Sequence, residues 1–95
     1  MTTQYLYLIT DCRYYKLGIA KNVEKRRRQL QTGTPNKLSI EAFYPVTDAR
    51  KKEKYLHTKY ASKKRQGEWF ALSEKDVQNI KDYLTNVANR LYIVV

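Results

Sequence analysis

The chain has few of the residues that make cross-links or closed metal cages. It carries one cysteine, Cys12, and one histidine, His57, in 95 residues. A disulfide within the chain is therefore excluded, as is a zinc site of the closed Cys/His kind. Acidic residues are also scarce, with nine Asp and Glu against nineteen Lys and Arg, a formal net charge of +10. No apolar run is long enough to span a membrane, and Met1-Thr2-Thr3-Gln4 lacks the apolar region of a secretory leader. An intracellular, cytoplasmic, reducing location is the expectation. What the chain does have is 42% hydrophobic residues in segments that alternate with polar ones nearly to the end. That excludes wholesale disorder and predicts one domain over residues 1–95 with a single modest core.

The cations are unevenly spread. Residues 1–65 hold 16 Lys and Arg against 5 Asp and Glu, whereas residues 66–95 hold 3 against 4. A surplus confined to the first two-thirds marks a surface that meets a polyanion, although a solvated basic face would give the same count. A membrane surface fits less well, because the cations lie on no exposed helix with a large aliphatic face.

Tyr5-Leu6-Tyr7-Leu8-Ile9 predicts a strand buried on both faces, followed by a turn at Thr10-Asp11-Cys12-Arg13 and a returning strand from Tyr14 to Ile19. Gly18 interrupts that second strand, the mark of a bulge or of a close approach by a backbone or ligand. Asn22 caps a helix from Val23 to about Gln31, with Val23 and Leu30 on its inner stripe and Arg26 and Arg27 flanking them. Leu38 to Val46 forms a third strand ended by Pro45. Thr47-Asp48 caps a second helix to about Ala61, and the basic loop Lys63-Lys64-Arg65-Gln66-Gly67 leads to the short extended segment Glu68–Leu72. Ser73 and Asp76 resemble a capping box opening an amphipathic helix with Val77, Ile80, Leu84, Val87 and Leu91 on one face. The order β-β-α-β-α-(β)-α predicts a small α/β (α+β) fold: a central three-stranded antiparallel sheet flanked by helices.

Glu53 stands out against this pattern. At 100° per residue, Ala49, Glu53, Leu56 and Tyr60 fall in one stripe, so the carboxylate lies on the apolar face of its helix. Burying an ionised carboxylate is costly without a compensating cation or donors. Two readings remain open: a structural glutamate, paired with an Arg of the neighbouring helix or snorkelling to the rim, or a place in a cleft holding a divalent cation. No other acid clusters with Glu53 in the sequence, which disfavours a cage of many carboxylates. One Glu with waters and a substrate phosphate suits Mg²⁺. Arg26, at the edge of a buried stripe, is placed to aim its planar fork at a phosphate, and is otherwise an ordinary surface Arg. His57, one turn beyond Glu53, is a candidate for proton transfer or a packed helix residue.

Read in order, Tyr5-Leu6-Tyr7, Lys16-Leu17-Gly18 and Ala20-Lys21-Asn22-Val23-Glu24-Lys25-Arg26 resemble the opening of a GIY-YIG nuclease domain. Leu30–Pro35, Glu53-Lys54-Tyr55-Leu56-His57 and Gly67-Glu68-Trp69-Phe70 resemble the subgroup common in phage and bacterial proteins, over roughly residues 4–84. The resemblance implies hydrolysis of a nucleic-acid phosphodiester with a single divalent cation, Mg²⁺ or Mn²⁺. It places Glu53 as the metal ligand, Arg26 as the stabiliser of phosphoryl charge, Tyr7 as the group that activates water, and Gly18 at the end of the second motif. Three departures stand out: Lys16 where the second motif usually has tyrosine, Tyr5 where the first has glycine, and Leu30 where some members carry histidine. Lys16 is then expected to lower the pKa of Tyr7, and His57 to take over proton transfer, with Glu68 a further site candidate. Lys21, Arg27, Lys63, Lys64 and Arg65 are the expected phosphate contacts.

DNA is the expected partner, with RNA the alternative. No specificity module is expected within the chain, so a homodimer, through the tail Leu91–Val95, or a separate partner would supply sequence choice. The rival reading is a related domain without chemistry that only docks on DNA or RNA; a basic ribosome-associated protein would explain the charge but not Glu53.

Overall fold

A computed structural model describes residues 3–92 of the backbone and side chains through residue 87. Four strands, β1 (Gln4–Thr10), β2 (Tyr15–Ala20), β3 (Ser39–Val46) and β4 (Trp69–Phe70), form one antiparallel sheet in the order β3-β1-β2-β4. Three helices accompany it: α1 (Val23–Gln31), α2 (Ala49–Lys59) and α3 (Glu74–Tyr92). The expected class and element order hold. The sheet gains a strand beyond the expected three, because the Glu68–Leu72 segment adds two residues to the free edge of β2.

β1 is central, so its alternate residues supply both faces. Leu6 and Leu8 join Leu17, Leu56, Phe70, Ile80 and Leu84 in the larger core under α2 and α3. Tyr7 and Ile9 join Val23, Leu38 and, partly buried, Leu30 and Trp69 in a smaller core under α1. Burying each such aliphatic side chain contributes roughly 1.5–3 kcal/mol, so the stability of this small domain rests on about two dozen residues.

Local chemistry sets the boundaries. Asn22 is extended, and its side-chain oxygen accepts from the Lys25 amide at 3.0 Å, opening α1 as expected. The Ser73–Asp76 box forms in both directions, each side chain accepting from the other's amide at 3.0 Å. Two boundaries differ from expectation. Pro45 lies inside β3 rather than ending it, because β3 is an edge strand and the missing N–H costs no ladder bond. Asp48 precedes α2 in the left-handed region (φ 49°) and its side chain caps nothing; its carbonyl instead accepts from the Lys51 and Lys52 amides. α2 stops at Lys59, and a single 3-10 turn at Ala61–Lys63 follows. Leu91 continues the backbone of α3, but its side chain and residues 93–95 lie outside the described residues, so the tail contact does as well. Among the described residues no helix is long and apolar enough to cross a membrane.

Candidate functional site

The two sheet faces meet around the outer edge of β2, where β4 is too short to cover the strand. Tyr7 is opposite Gly18 in the β1–β2 register, and its ring lies across that glycine. A Cβ placed on residue 18 would come within 2.6 Å of the Tyr7 hydroxyl oxygen and 2.8 Å of Cζ. Gly18 therefore marks a close approach, not a bulge, and what approaches is a side chain. The Tyr7 hydroxyl is enclosed by protein, and it is the one buried side-chain oxygen or nitrogen without a hydrogen-bond partner among the described residues. An unpaired buried hydroxyl costs about 1–3 kcal/mol, a penalty that calls for an explanation. Burial pushes the phenol above its ordinary pKa; the Arg26 guanidinium, near enough to act by its charge and as a donor although it falls outside full hydrogen-bond geometry, opposes this, while the Glu68 and Glu53 carboxylates add to it. The cation acting on Tyr7 is thus Arg26, from α1. Lys16 faces Glu68 instead, and the net shift is upward rather than the expected lowering.

Glu53 projects from α2 on the stripe of Ala49, Leu56 and Tyr60, all three buried, with Arg50 exposed beside it and Lys51 and Lys54 exposed further round the helix. Among the described residues it forms neither an ion pair nor a hydrogen bond, so the expected alternative of an Arg partner is not what the fold provides. Its pKa is raised, first by burial and then by the Glu68 carboxylate; His57, Arg50 and Lys16 draw it down less. Glu68, a further site candidate from the resemblance, is its acidic neighbour. Ligand atoms of Glu53, His57 and Glu68 all lie within 4.8 Å of one another. The segment entering β4 thus brings the candidate Glu68 to Glu53, a clustering the spacing did not show, and the Glu68 carbonyl accepts from the Leu17 amide at 3.3 Å to fix it there.

His57 has a structural occupation. Its Nε2 lies 2.8 Å from the Leu17 carbonyl oxygen, and since a carbonyl can only accept, Nε2 carries the hydrogen. Leu17 is where β4 runs out, so Glu68 and His57 satisfy the amide and carbonyl that the strand edge leaves exposed. The ring packs edge-on against Phe70, centroids 4.9 Å apart. Glu68 lies 3.9 Å from the same nitrogen and 3.7 Å from Lys16 Nζ. His57 thus anchors α2 to β2; it stands with Glu53 and Glu68 in the cluster whose ligand atoms could hold a cation, and its Nδ1 keeps a lone pair.

The expected phosphate contacts divide into two groups. Lys21, Lys64 and Arg65 are exposed. Arg27 is held by Glu24 at 2.6 Å, and Lys63 by Asp76 of the capping box, so their charges are largely answered within the chain. Lys25, absent from the expected set, joins Lys21 and Arg26 around a cleft of about 240 Å³ with Asn22 and Gln29. A basic track therefore runs along the start of α1 toward Tyr7. A carboxylate pair in need of a cation, a guanidinium, a phenol and this track suit a phosphate-bearing polymer.

No curated protein and no solved structure matches the chain. The sequence model of one family does match, over residues 4–85, which spans all four strands and most of α3. The residues that build the carboxylate pair, the Tyr7–Gly18 contact and the basic track all fall within that span, and the chain belongs to the T5orf172 domain family, a domain found in phage and bacterial nuclease-like proteins.

Proposed function

We propose that the chain is a metal-dependent endonuclease of the GIY-YIG type that hydrolyses phosphodiester bonds in DNA. The convergence of Glu53 and Glu68 beside the unpartnered Tyr7 hydroxyl carries this reading. The two carboxylates, with ligand oxygens no more than 4.8 Å apart, would hold a single hard divalent cation such as Mg²⁺ or Mn²⁺. A cation held there supplies Lewis-acid stabilisation of charge on the scissile phosphate and the departing oxygen.

The chain's own groups do the rest. Arg26 neutralises the phosphoryl oxygens as their charge grows, a preorganised role. Tyr7 is uncharged at rest and orients the attacking water. To act as its base the phenol must first release its own proton to solvent, and the phenolate, which Arg26 favours, then takes the proton of the water as the new P–O bond forms and the bond to the departing oxygen breaks. Lys16 holds Glu68 in place at 3.7 Å. Lys21, Lys25, Lys64 and Arg65 supply phosphate contacts whose strength falls steeply with salt.

One observation favours a second reading, a DNA- or RNA-docking module without chemistry: the Tyr7 hydroxyl is fully enclosed, and water must reach it for the reaction to occur. Incubating chelator-treated protein with duplex, branched and single-stranded DNA and with RNA, with and without Mg²⁺ or Mn²⁺, separates the two. Cation-dependent DNA cleavage is expected. Tight binding with no cleavage under either metal would establish the docking module instead.

A further inference from the structure

A second cleft lies on the other side of Lys16, with a volume of about 360 Å³ and a lining of Asp11, Tyr14, Thr34, Arg65, Gln66 and Trp69. We propose that this cleft takes an unpaired nucleobase of the nucleic-acid strand whose phosphate lies at the carboxylate pair. The inference deepens the nuclease reading by naming the form of its substrate.

Three separate segments build the cleft, and each is locked by its own hydrogen bonds. In the β1–β2 turn, Asp11 Oδ1 accepts from the Arg13 amide at 2.9 Å and the Tyr14 amide at 2.7 Å. In the loop after α1, the Thr34 amide donates to the Gln31 carbonyl at 3.3 Å, and the Gln31 side chain donates to the Thr34 carbonyl at 3.3 Å. In the loop before β4, the Arg65 amide donates to the Trp69 carbonyl at 2.7 Å, and Gly67 closes the turn at φ 63°, which a side chain would strain. The cleft is therefore formed before any ligand arrives, as small-ligand sites usually are.

Its chemistry matches one class of ligand. Tyr14 and Trp69 are half-buried and offer aromatic surface, against which any base can stack. Gln66 is exposed and carries both a donor and an acceptor, as a base edge requires; Arg65, beside it, adds a positive charge for the adjoining phosphate. The position matters as much as the lining. Lys16 Nζ lies 5.7 Å from the Trp69 ring centroid and 3.7 Å from Glu68, so one side chain separates the cleft from the carboxylates. Within a duplex a base has both faces stacked and its edge paired, and extruding it forfeits both, so a base that is already unpaired enters most readily. The preferred substrate is then single-stranded or carries a flap, bulge or branch at the cut.

Trp69 is the chain's single tryptophan, so its fluorescence reports on the cleft directly. In chelator, where no cleavage occurs, a short single-stranded DNA oligonucleotide should quench Trp69 saturably. It should also bind on the order of 10-fold more tightly than an abasic deoxyribose-phosphate oligomer of equal length. Tyr14→Ala should erase that difference. Gln66→Ala, at an exposed position that folding does not need, should reduce it, while binding of the abasic oligomer stays unchanged in both. Equal affinity and equal quenching by the two oligomers would overturn the proposal, as would an unaltered base preference in both variants. Base preference without metal-dependent cutting would remove the nuclease reading and leave the cleft; cutting without base preference would do the reverse.

Discussion

Replacing Tyr7 with phenylalanine should make the protein more stable and less active at once. The hydroxyl is buried against Gly18 with no hydrogen-bond partner, and such a group costs about 1–3 kcal/mol while contributing no packing that a phenyl ring lacks. Part of that cost is recovered in the variant, because the small void left by one oxygen offsets some of it; a net gain of about 1 kcal/mol is expected. For a domain of this size that corresponds to a rise in Tm of roughly 4–8 °C. Urea titration gives the cleaner measure: the midpoint should rise with an unchanged slope, showing that the native state and not the denatured ensemble has changed. Cleavage by the same preparation should fall by on the order of 10²–10⁴-fold, the usual worth of a positioned general base. A Tyr7→Phe protein destabilised by about 1 kcal/mol or more would refute the reasoning, because it would mean the hydroxyl bonds to Arg26 in the native state. Full activity in a stabilised variant would remove Tyr7 from the reaction while leaving the packing argument intact.

Other perturbations test neighbouring parts of the account. Gly18→Ala should destabilise by about 1–3 kcal/mol, since the new methyl would meet the rigid Tyr7 ring, and most of that loss should disappear in a Tyr7→Leu background when both are read by thermal melts. Asp76→Asn should cost about 1 kcal/mol by weakening the helix cap and the Lys63 pair. The Asp76 pKa is lowered, chiefly by its hydrogen bond to Lys63, so its contribution is present above the ordinary carboxylate range and is lost as pH falls through the lowered value; the gap between wild type and variant should close in acid. Glu53 has the opposite sign. Its pKa is raised by burial and by Glu68, so its contribution is present below the ordinary carboxylate range and is lost as pH rises through the raised value. Glu53→Gln should therefore melt higher than wild type at neutral pH in chelator, and should lose the increase in Tm that Mn²⁺ gives wild type.

The sequence carried the parts of this structure that depend on local chemistry. Asn22 and the Ser73–Asp76 pair are caps whose donors lie within one turn, and helical periodicity alone put Glu53 on the stripe with Ala49, Leu56 and Tyr60. What stayed hidden depends on where distant segments meet. That His57 meets the Leu17 carbonyl, forty residues away, through its Nε2 could not be read from its place on the helix. Nor could the pairs that α3 and β4 bring about, Asp76 beside Lys63 and Glu68 beside Lys16. Glu68 is the instructive case. The Gly67-Glu68-Trp69-Phe70 segment drew attention to it, but only the short pairing of β4 with β2 shows that its carboxylate belongs with Glu53.

In the proposed reaction Glu53 and Glu68 together hold the cation that cleavage needs. The most direct test measures the cleavage rate against Mn²⁺ concentration for wild type, Glu53→Ala and Glu68→Ala, on the substrate that wild type cuts best, with DNA affinity measured in parallel. The account predicts that Glu53→Ala binds DNA as wild type does but does not cut at any Mn²⁺ concentration. Glu68→Ala should cut only at Mn²⁺ concentrations raised by about 10-fold or more. Wild-type rates and wild-type metal dependence in Glu53→Ala would contradict it.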